Sequence, residues 1–335
     1  MSDTFAEATF HRRPIRELEL TIAGTRLEPI LAVFRRELDA AGLTRIKPRF
    51  YLSTEWGVPD GTIAVAVPFY LAHPALARLH RERTGHVEGA TPTDILRYLR
   101  HEMGHVVNYA YKLYDRGDWV EHFGVITQPY VEEYAPRPFS RRFVRHLPGW
   151  YAQKHPDEDW AETFAVWLTP GQDWRAIYAD WPEALAKLEF VDRTVREVRE
   201  LEPLNVDDEL DEDVGDIGYS IDDLYGADPE VSTPPVLPPG LDGALRAIFD
   251  EDVAGELPAA PLLLRLADEL APSVYRWTGH FPERTLSLLR QLAARADSLA
   301  LTYGAEHERS TTIAVTTLVT ALAMNHVLSG NYLSP

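Results

Sequence analysis

The chain has 335 residues, 45% of them hydrophobic, and a net charge of −19. This length and composition can supply the core of one large domain or of two ordinary domains. The excess of negative charge argues against nucleic acids and anionic membranes as partners. Because the chain contains no cysteine, disulfides and thiolate ligands are excluded, and any zinc site must be built from histidine and carboxylate side chains.

The expected location follows from two further features of the sequence. Residues 1–7 lack the basic and apolar regions of a signal peptide. The most apolar stretch, 311–328, is interrupted by threonine, asparagine and histidine, and no uninterrupted apolar span reaches membrane length. We therefore expect a soluble cytoplasmic protein without a membrane partner.

The first predicted elements are one helix and two strands. The spacing of apolar residues predicts a helix over 27–41. Aromatic and β-branched residues predict strands over 45–56 and 62–70, on either side of a segment rich in glycine and proline.

A His-Glu-x-x-His pattern follows at 101–105, within a long predicted helix that begins at the capping residue Thr91. Two histidines four residues apart lie on one face of a helix, where both can bind one zinc ion. Glu102, between them, can accept a proton from a water molecule that zinc activates. The alternative is a buried helix whose two histidines only form hydrogen bonds.

A catalytic zinc site needs a third protein ligand, and classes of zinc hydrolase differ in where it lies. One class has a third histidine in the same run of sequence, after a glycine, as His-Glu-x-x-His-x-x-Gly-x-x-His. The corresponding residues here are Asn108 and Tyr111, which excludes that class. Another class takes a glutamate from a second helix, and 156–168 predicts such a helix, with Glu158 and Glu162 on one face. Spacing alone leaves open which glutamate binds metal, and an ordinary acidic first turn is the alternative for both.

The two predicted helices together resemble the glutamate-type zincins. The segment 149–165 is similar to the family of zinc-binding metallopeptidases related to the protease domain of anthrax lethal factor. In that family the earlier glutamate binds the metal and the later one supports a histidine, which implies that Glu158 is the third ligand and Glu162 the supporting residue. A tyrosine seven residues before the ligand stabilises the oxyanion there, and Tyr151 has this spacing here. The resemblance covers about 91–169.

The resemblance also implies a fold and a mode of substrate binding. We expect an α+β, zincin-like domain in which a small sheet lies beside the active-site helices. In zincins an edge strand of this sheet pairs with the extended peptide substrate. The two strands predicted just before the zinc-binding helix fit this arrangement.

Basic residues cluster within 137–146, against the acidic background. Arg141 and Arg142 lie in this run, just before Tyr151. They are candidates for binding substrate carboxylates, or for docking an acidic segment of the chain over the cleft. The alternative is a solvated or salt-bridged surface.

The remaining chain is predicted to contain a linker and a second domain. Residues 204–240 are strongly acidic and end in a proline-rich run, which predicts a linker after a first domain over 1–203. Residues 241–335 predict three or four helices in a small bundle, and the sequence does not indicate what this bundle does.

We therefore expect a zinc metallopeptidase that binds one Zn²⁺ per chain and acts on a peptide or protein substrate. His101, His105 and Glu158 would bind the metal, Glu102 would act as general base, and Tyr151 would donate to the oxyanion. The alternative is a zinc-binding or interaction module without turnover, although such a module would need no base at position 102. Cleavage specificity, endo- or exopeptidase action and oligomeric state do not follow from the sequence.

Overall fold

The protein is described here from a computed structural model, which is α+β and mostly helical. The described residues are 9–131, 134–226, 240–251 and 256–333. Their buried apolar side chains form two large clusters, one between residues 15 and 221 and the other between residues 241 and 332. The second cluster begins where the sequence predicts the helical domain.

Helices dominate the first part of the chain, and a two-stranded sheet lies among them. The elements are α1 (Leu27–Ala40), β1 (Arg49–Ser53), β2 (Ala64–Pro68), α2 (Pro74–Thr84), α3 (Pro92–Tyr111), α4 (Gly117–Phe123), α5 (Pro156–Leu168), α6 (Trp174–Ile177), α7 (Pro182–Val198) and α8 (Ile221–Gly226). The predicted helices around the two motifs are therefore confirmed as α3 and α5. Thr91 caps α3 as expected, because its hydroxyl accepts a hydrogen bond from the Asp94 amide.

The two strands pair in parallel and are shorter than predicted. Arg49 of β1 lies opposite Ala64 of β2. After β1 the chain returns beside β2, and the Ala66 amide donates to the Gly57 carbonyl at 2.8 Å. Every residue of β2 is buried, as is usual for a strand covered on both faces.

The acidic segment differs from the linker predicted over 204–240. Its described part, 204–226, packs on the first domain, and the Val214 amide donates to the Leu52 carbonyl of β1 at 3.0 Å. Three of its apolar side chains are buried, namely Val214, Ile217 and Ile221. These apolar residues are spaced among the carboxylates, so a count of charges does not reveal their contribution to the core. The proline-rich run lies within 227–239, outside the described residues.

Helices α3 and α5 approach each other closely at Gly104. A Cβ atom at Gly104 would lie 2.6 Å from the Cα atom of Ala161, which is too close for any side chain. The Trp160 indole donates to the Gly104 carbonyl at 2.7 Å, across the same crossing. This contact between main chains brings the first turn of α5 beside the two histidines of α3.

The described residues of the C-terminal part form four α-helices and a small antiparallel sheet that was not predicted. The helices are α9 (Leu241–Arg246), α10 (Ala259–Thr278), α11 (Pro282–Ser298) and α12 (Glu308–Ser329). The strands β3 (Asp250–Glu251), β4 (Leu257–Pro258) and β5 (Leu301–Tyr303) pair in the order β3-β5-β4. Helix α11 stops at Ser298, and the chain then becomes extended and forms β5.

The two parts meet at the 3₁₀ segment Pro148–Gln153, which carries Tyr151. The Trp150 indole donates to the Trp277 carbonyl of α10 at 3.3 Å. Gly149 has a φ of 81°, and a Cβ there would lie 2.5 Å from the Tyr275 ring, so glycine is needed for both reasons. The end of α10 therefore contacts the segment that positions Tyr151.

One described helical stretch, Ala305–Ser329, is long and apolar enough to cross a membrane by length and composition, with a mean hydropathy of 1.4. The mean is high because the apolar residues of this stretch outweigh its threonines. Core helices of soluble proteins have the same length and composition but are mostly buried, whereas 28% of the apolar window is buried here. The absence of a membrane partner stays a prediction.

Candidate metal centre

Three buried side chains from α3 and α5 converge on one point. Nε2 of His101 lies 3.0 Å from Oε2 of Glu158, and Nε2 of His105 lies 3.4 Å from the same oxygen. The two Nε2 atoms are 3.2 Å apart. This group, His101, His105 and Glu158, could hold a metal ion.

Glu162 forms a hydrogen bond with His101. Nδ1 of His101 donates to Oε1 of Glu162 at 2.9 Å, because an ionised carboxylate can only accept. The second oxygen of Glu162 accepts from the amides of His146 and Leu147, at 3.2 and 2.9 Å. With its proton on Nδ1, neutral His101 presents the lone pair of Nε2 to Glu158.

His105 has an equivalent partner, Asp157, which the sequence did not single out. Nδ1 of His105 donates to Oδ2 of Asp157 at 2.8 Å. Asp157 also accepts from the Asn108 amide group and from the Tyr109 hydroxyl, each at 2.6 Å. The only sequence signal for Asp157 is its place in the acidic first turn of α5, directly before Glu158.

The donor set fits a divalent cation. Both imidazoles are held with Nδ1 toward a carboxylate, so in their neutral forms the two Nε2 lone pairs face each other and Glu158. With both imidazoles in these neutral forms, Oε2 of Glu158 is buried and accepts no hydrogen bond from the described residues. Three converging acceptor atoms need protons or a metal ion between them, since an unpaired buried carboxylate oxygen is costly.

The pKa values of the two histidines show the excess of negative charge around them. Burial by itself lowers the pKa of His101, but hydrogen bonds to Glu158 and Glu162 outweigh it and raise the pKa to about 9. Burial also acts to lower the pKa of His105, and Asp157 and Glu158 together raise it well above its usual value. A bound cation would compensate the same carboxylates in place of these protons.

Glu102 lies beside the three ligands and is only 4% exposed. Burial raises the pKa of its carboxyl group to about 7, although His101 and His105 act to lower it. A carboxylate with a pKa near the working pH can both accept and release a proton. The geometry therefore places a potential general base at the centre.

Two tyrosine hydroxyls lie on the other side of Glu158. The Tyr130 hydroxyl donates to Oε1 of Glu158 at 2.6 Å and lies 3.2 Å from the Tyr151 hydroxyl. The Tyr151 ring is 5.6 Å from the His101 ring, between centroids. Tyr151 was predicted from the resemblance, whereas no motif indicated Tyr130. Either hydroxyl can donate to an oxyanion formed near the ligands.

The ligands open into a cleft of about 690 Å³. Residues from the chain after β1, from α3 and from the segments around α5 line most of it. Tyr275 of α10 and Phe281, just before α11, complete the lining. The C-terminal helices therefore form part of the candidate site, which the sequence did not predict.

Arg142 and Arg145 of the basic run make their contacts outside the cleft. Arg142 pairs with Glu183 at 2.6 Å, and both side chains are exposed. The guanidinium of Arg145 lies 4.6 Å from the Trp181 ring centroid. Neither Arg141 nor Arg142 is among the described residues that line the cleft. Their proposed contact with substrate stays a prediction.

We expect Asp157→Asn protein to bind zinc about 10–100-fold more weakly than wild type, as is typical when the partner of a ligand histidine is lost. Asparagine has one acceptor oxygen where aspartate offers two, so three donors, from His105, Asn108 and Tyr109, cannot all be satisfied. Competition with a chromophoric zinc chelator measures the affinity. Asp180→Asn, at an exposed position, is the matched control. Equal zinc affinity of both variants would refute a supporting role for Asp157.

Comparison with known proteins does not identify this chain: no protein-family model, curated protein or solved structure matches it.

Proposed function

We propose that the protein is a zinc-dependent metallopeptidase with a zincin-like active site. The observation that carries this proposal is the buried group of His101, His105 and Glu158, with Glu102 beside it. Two imidazoles and one carboxylate form a ligand set known for catalytic zinc. The described residues supply three ligands rather than four, so a position remains for water or substrate.

The chain's own residues account for the proton transfers of amide hydrolysis. When bound, zinc lowers the pKa of a water molecule and polarises the scissile carbonyl. Glu102 accepts the proton of the attacking water and passes it to the leaving amine. Tyr151 donates to the oxyanion, and burial keeps its hydroxyl protonated by raising its pKa well above the usual value. The Tyr130 hydroxyl lies 3.2 Å from the Tyr151 hydroxyl, which is close enough to share this role.

The segment after β1 offers a backbone for an extended peptide. Trp56, Gly57 and Val58 line the cleft. The carbonyl of Gly57 accepts from Ala66 of β2, which holds this segment against the sheet. We propose that the substrate runs beside it in an extended conformation, as in β-strand addition.

The alternative is a module that binds metal without turnover. A purely structural zinc site has four protein ligands and needs no base. The three described ligands and the buried Glu102 therefore favour the enzyme.

We expect the wild-type protein to cleave peptides in a proteome-derived library, because base, ligands and oxyanion donors lie in one cleft. Mass spectrometry of the products measures cleavage. A zinc chelator should abolish it, and added zinc should restore it. The same chelator, saturated with zinc beforehand, is the control. Cleavage that persists in the free chelator would contradict a zinc mechanism, whereas a zinc-loaded protein that cleaves nothing would favour the binding module.

A further inference from the structure

The cleft remains acidic beyond the residues that surround the metal. Three further carboxylates line it, from Glu55, Asp60 and Glu88, and one lysine, Lys154. The ammonium group of Lys154 lies 4.2 Å from the Tyr130 ring centroid, so it is near the oxyanion side of the site. The rest of the lining therefore favours positively charged groups.

Glu88 lines the cleft together with residues of the metal centre and of the C-terminal part. It belongs to the segment that joins α2 to α3, and the Tyr98 hydroxyl acts to lower the pKa of its carboxyl group. Its charge acts on His101 on one side and on Tyr275 of α10 on the other. Burial raises the pKa of Glu88, which shows that its charged form lacks full compensation within the protein.

Two stacked aromatic pairs line the cleft together with Glu88. Trp56 stacks on Tyr98, with centroids 5.2 Å apart and planes at 8°. The Trp56 indole donates to the Glu88 carbonyl at 3.5 Å, which ties this pair to the backbone of Glu88. On the side of the C-terminal helices, Tyr275 stacks on Phe281, with centroids 5.8 Å apart and planes at 22°.

A smaller pocket of about 390 Å³ adjoins the cleft at this point. Glu88, Tyr98 and Tyr275 line both spaces. Besides Glu88, the smaller pocket has three arginines and three carboxylates, from Arg81, Arg97, Arg276, Asp94, Asp268 and Glu269. These six charges balance, which leaves His86 and Glu88 as the other acidic or basic residues of the lining, and Glu88 carries the negative charge at the junction.

We propose that Glu88 and the two aromatic pairs form a subsite for a lysine or arginine side chain of the peptide substrate. This inference rests on the proposed peptidase function. The carboxylate pairs with the cationic group, and the aromatic faces attract the cation and pack against its aliphatic stem. Because Tyr275 and Phe281 belong to the C-terminal part, the helical bundle takes part in substrate selection.

The first test changes only the substrate. A peptide cleaved in the library is prepared with arginine, lysine or citrulline at each position around the scissile bond. Citrulline matches arginine in shape but carries no charge. We expect kcat/KM at one position to be about 10–100-fold higher for arginine and lysine than for citrulline, the range for a charged hydrogen bond. Equal rates at every position would overturn the proposal.

The second test locates the preference at Glu88. Glu88→Gln protein should lose the discrimination between arginine and citrulline while still cleaving the citrulline peptide. Glu189→Gln, exposed on α7 and outside the cleft lining, is the matched control and should keep the preference. Thermal unfolding confirms that each variant is folded. An arginine preference that survives in folded Glu88→Gln protein would assign the subsite elsewhere.

A third measurement separates this inference from the proposed function, because it needs no turnover. Saturation-transfer NMR compares Nα-acetylarginine amide with Nα-acetylcitrulline amide on zinc-loaded Glu102→Gln protein. We expect stronger binding of the arginine probe, lost when Glu88→Gln is added. Such binding without cleavage in the wild type would keep the cation subsite and reject the peptidase. Cleavage by the wild type, with no preference for arginine in binding or rate, would keep the peptidase and reject the cation subsite.

Discussion

Glu102→Gln protein is expected to retain zinc and to lose peptide hydrolysis by a factor of about 10²–10⁴, the usual range for a general base. Glutamine has nearly the shape of glutamate but cannot accept the proton of the attacking water. The three ligands, His101, His105 and Glu158, are unchanged, so the metal should remain bound. Values of kcat/KM on one library peptide, together with metal analysis, measure both effects.

Glu121→Gln, exposed on α4, is the matched control for this experiment and should behave as wild type. Near wild-type hydrolysis by the Glu102→Gln protein would refute the proposed base. Loss of zinc together with activity would instead give Glu102 a role in holding the metal.

The second large effect is expected from His101→Ala/His105→Ala, which should reduce the zinc content from about one per chain to a trace. Glu158 alone offers one carboxylate, which cannot retain the metal through dialysis. Added zinc should raise the melting temperature of metal-free wild type but not that of the double variant. A ligand that binds only the folded protein stabilises it, and the double variant lacks the site. Metal analysis and thermal unfolding measure these changes.

His307→Ala, at an exposed position, should match the wild type in both measurements. Zinc content that stays at the wild-type level in the double variant would place the metal elsewhere in the chain and reject the centre described here.

The local sequence was sufficient to predict the two helices that carry the ligands. A capping threonine and prolines mark where they begin, and histidines four residues apart must share a face of a helix. Choosing between Glu158 and Glu162 required the resemblance, because spacing treats them equally. In the structure Glu158 faces both Nε2 atoms, while Glu162 bonds Nδ1 of His101.

The features that were not predicted depend on contacts between distant parts of the chain. The sequence does not distinguish Asp157 from the other acidic residues of its turn. In the structure, His105, Asn108 and Tyr109 donate hydrogen bonds to it. Tyr130 reaches Glu158 only through the path of the chain between α4 and α5. The packing of the acidic segment on the strands was hidden by its high charge. The small sheet of the first domain was predicted, but its parallel pairing was not.

The contact between Gly104 and Ala161 has a consequence for how mutations affect this protein. There the separation of the two ligand-bearing helices is limited by main-chain atoms rather than by side chains that could repack. Substitutions elsewhere in the core can therefore lower the stability of the fold while leaving the spacing of the ligands nearly unchanged. The spacing of the two helices should therefore tolerate substitutions elsewhere in the core and be most sensitive to substitution at this one crossing.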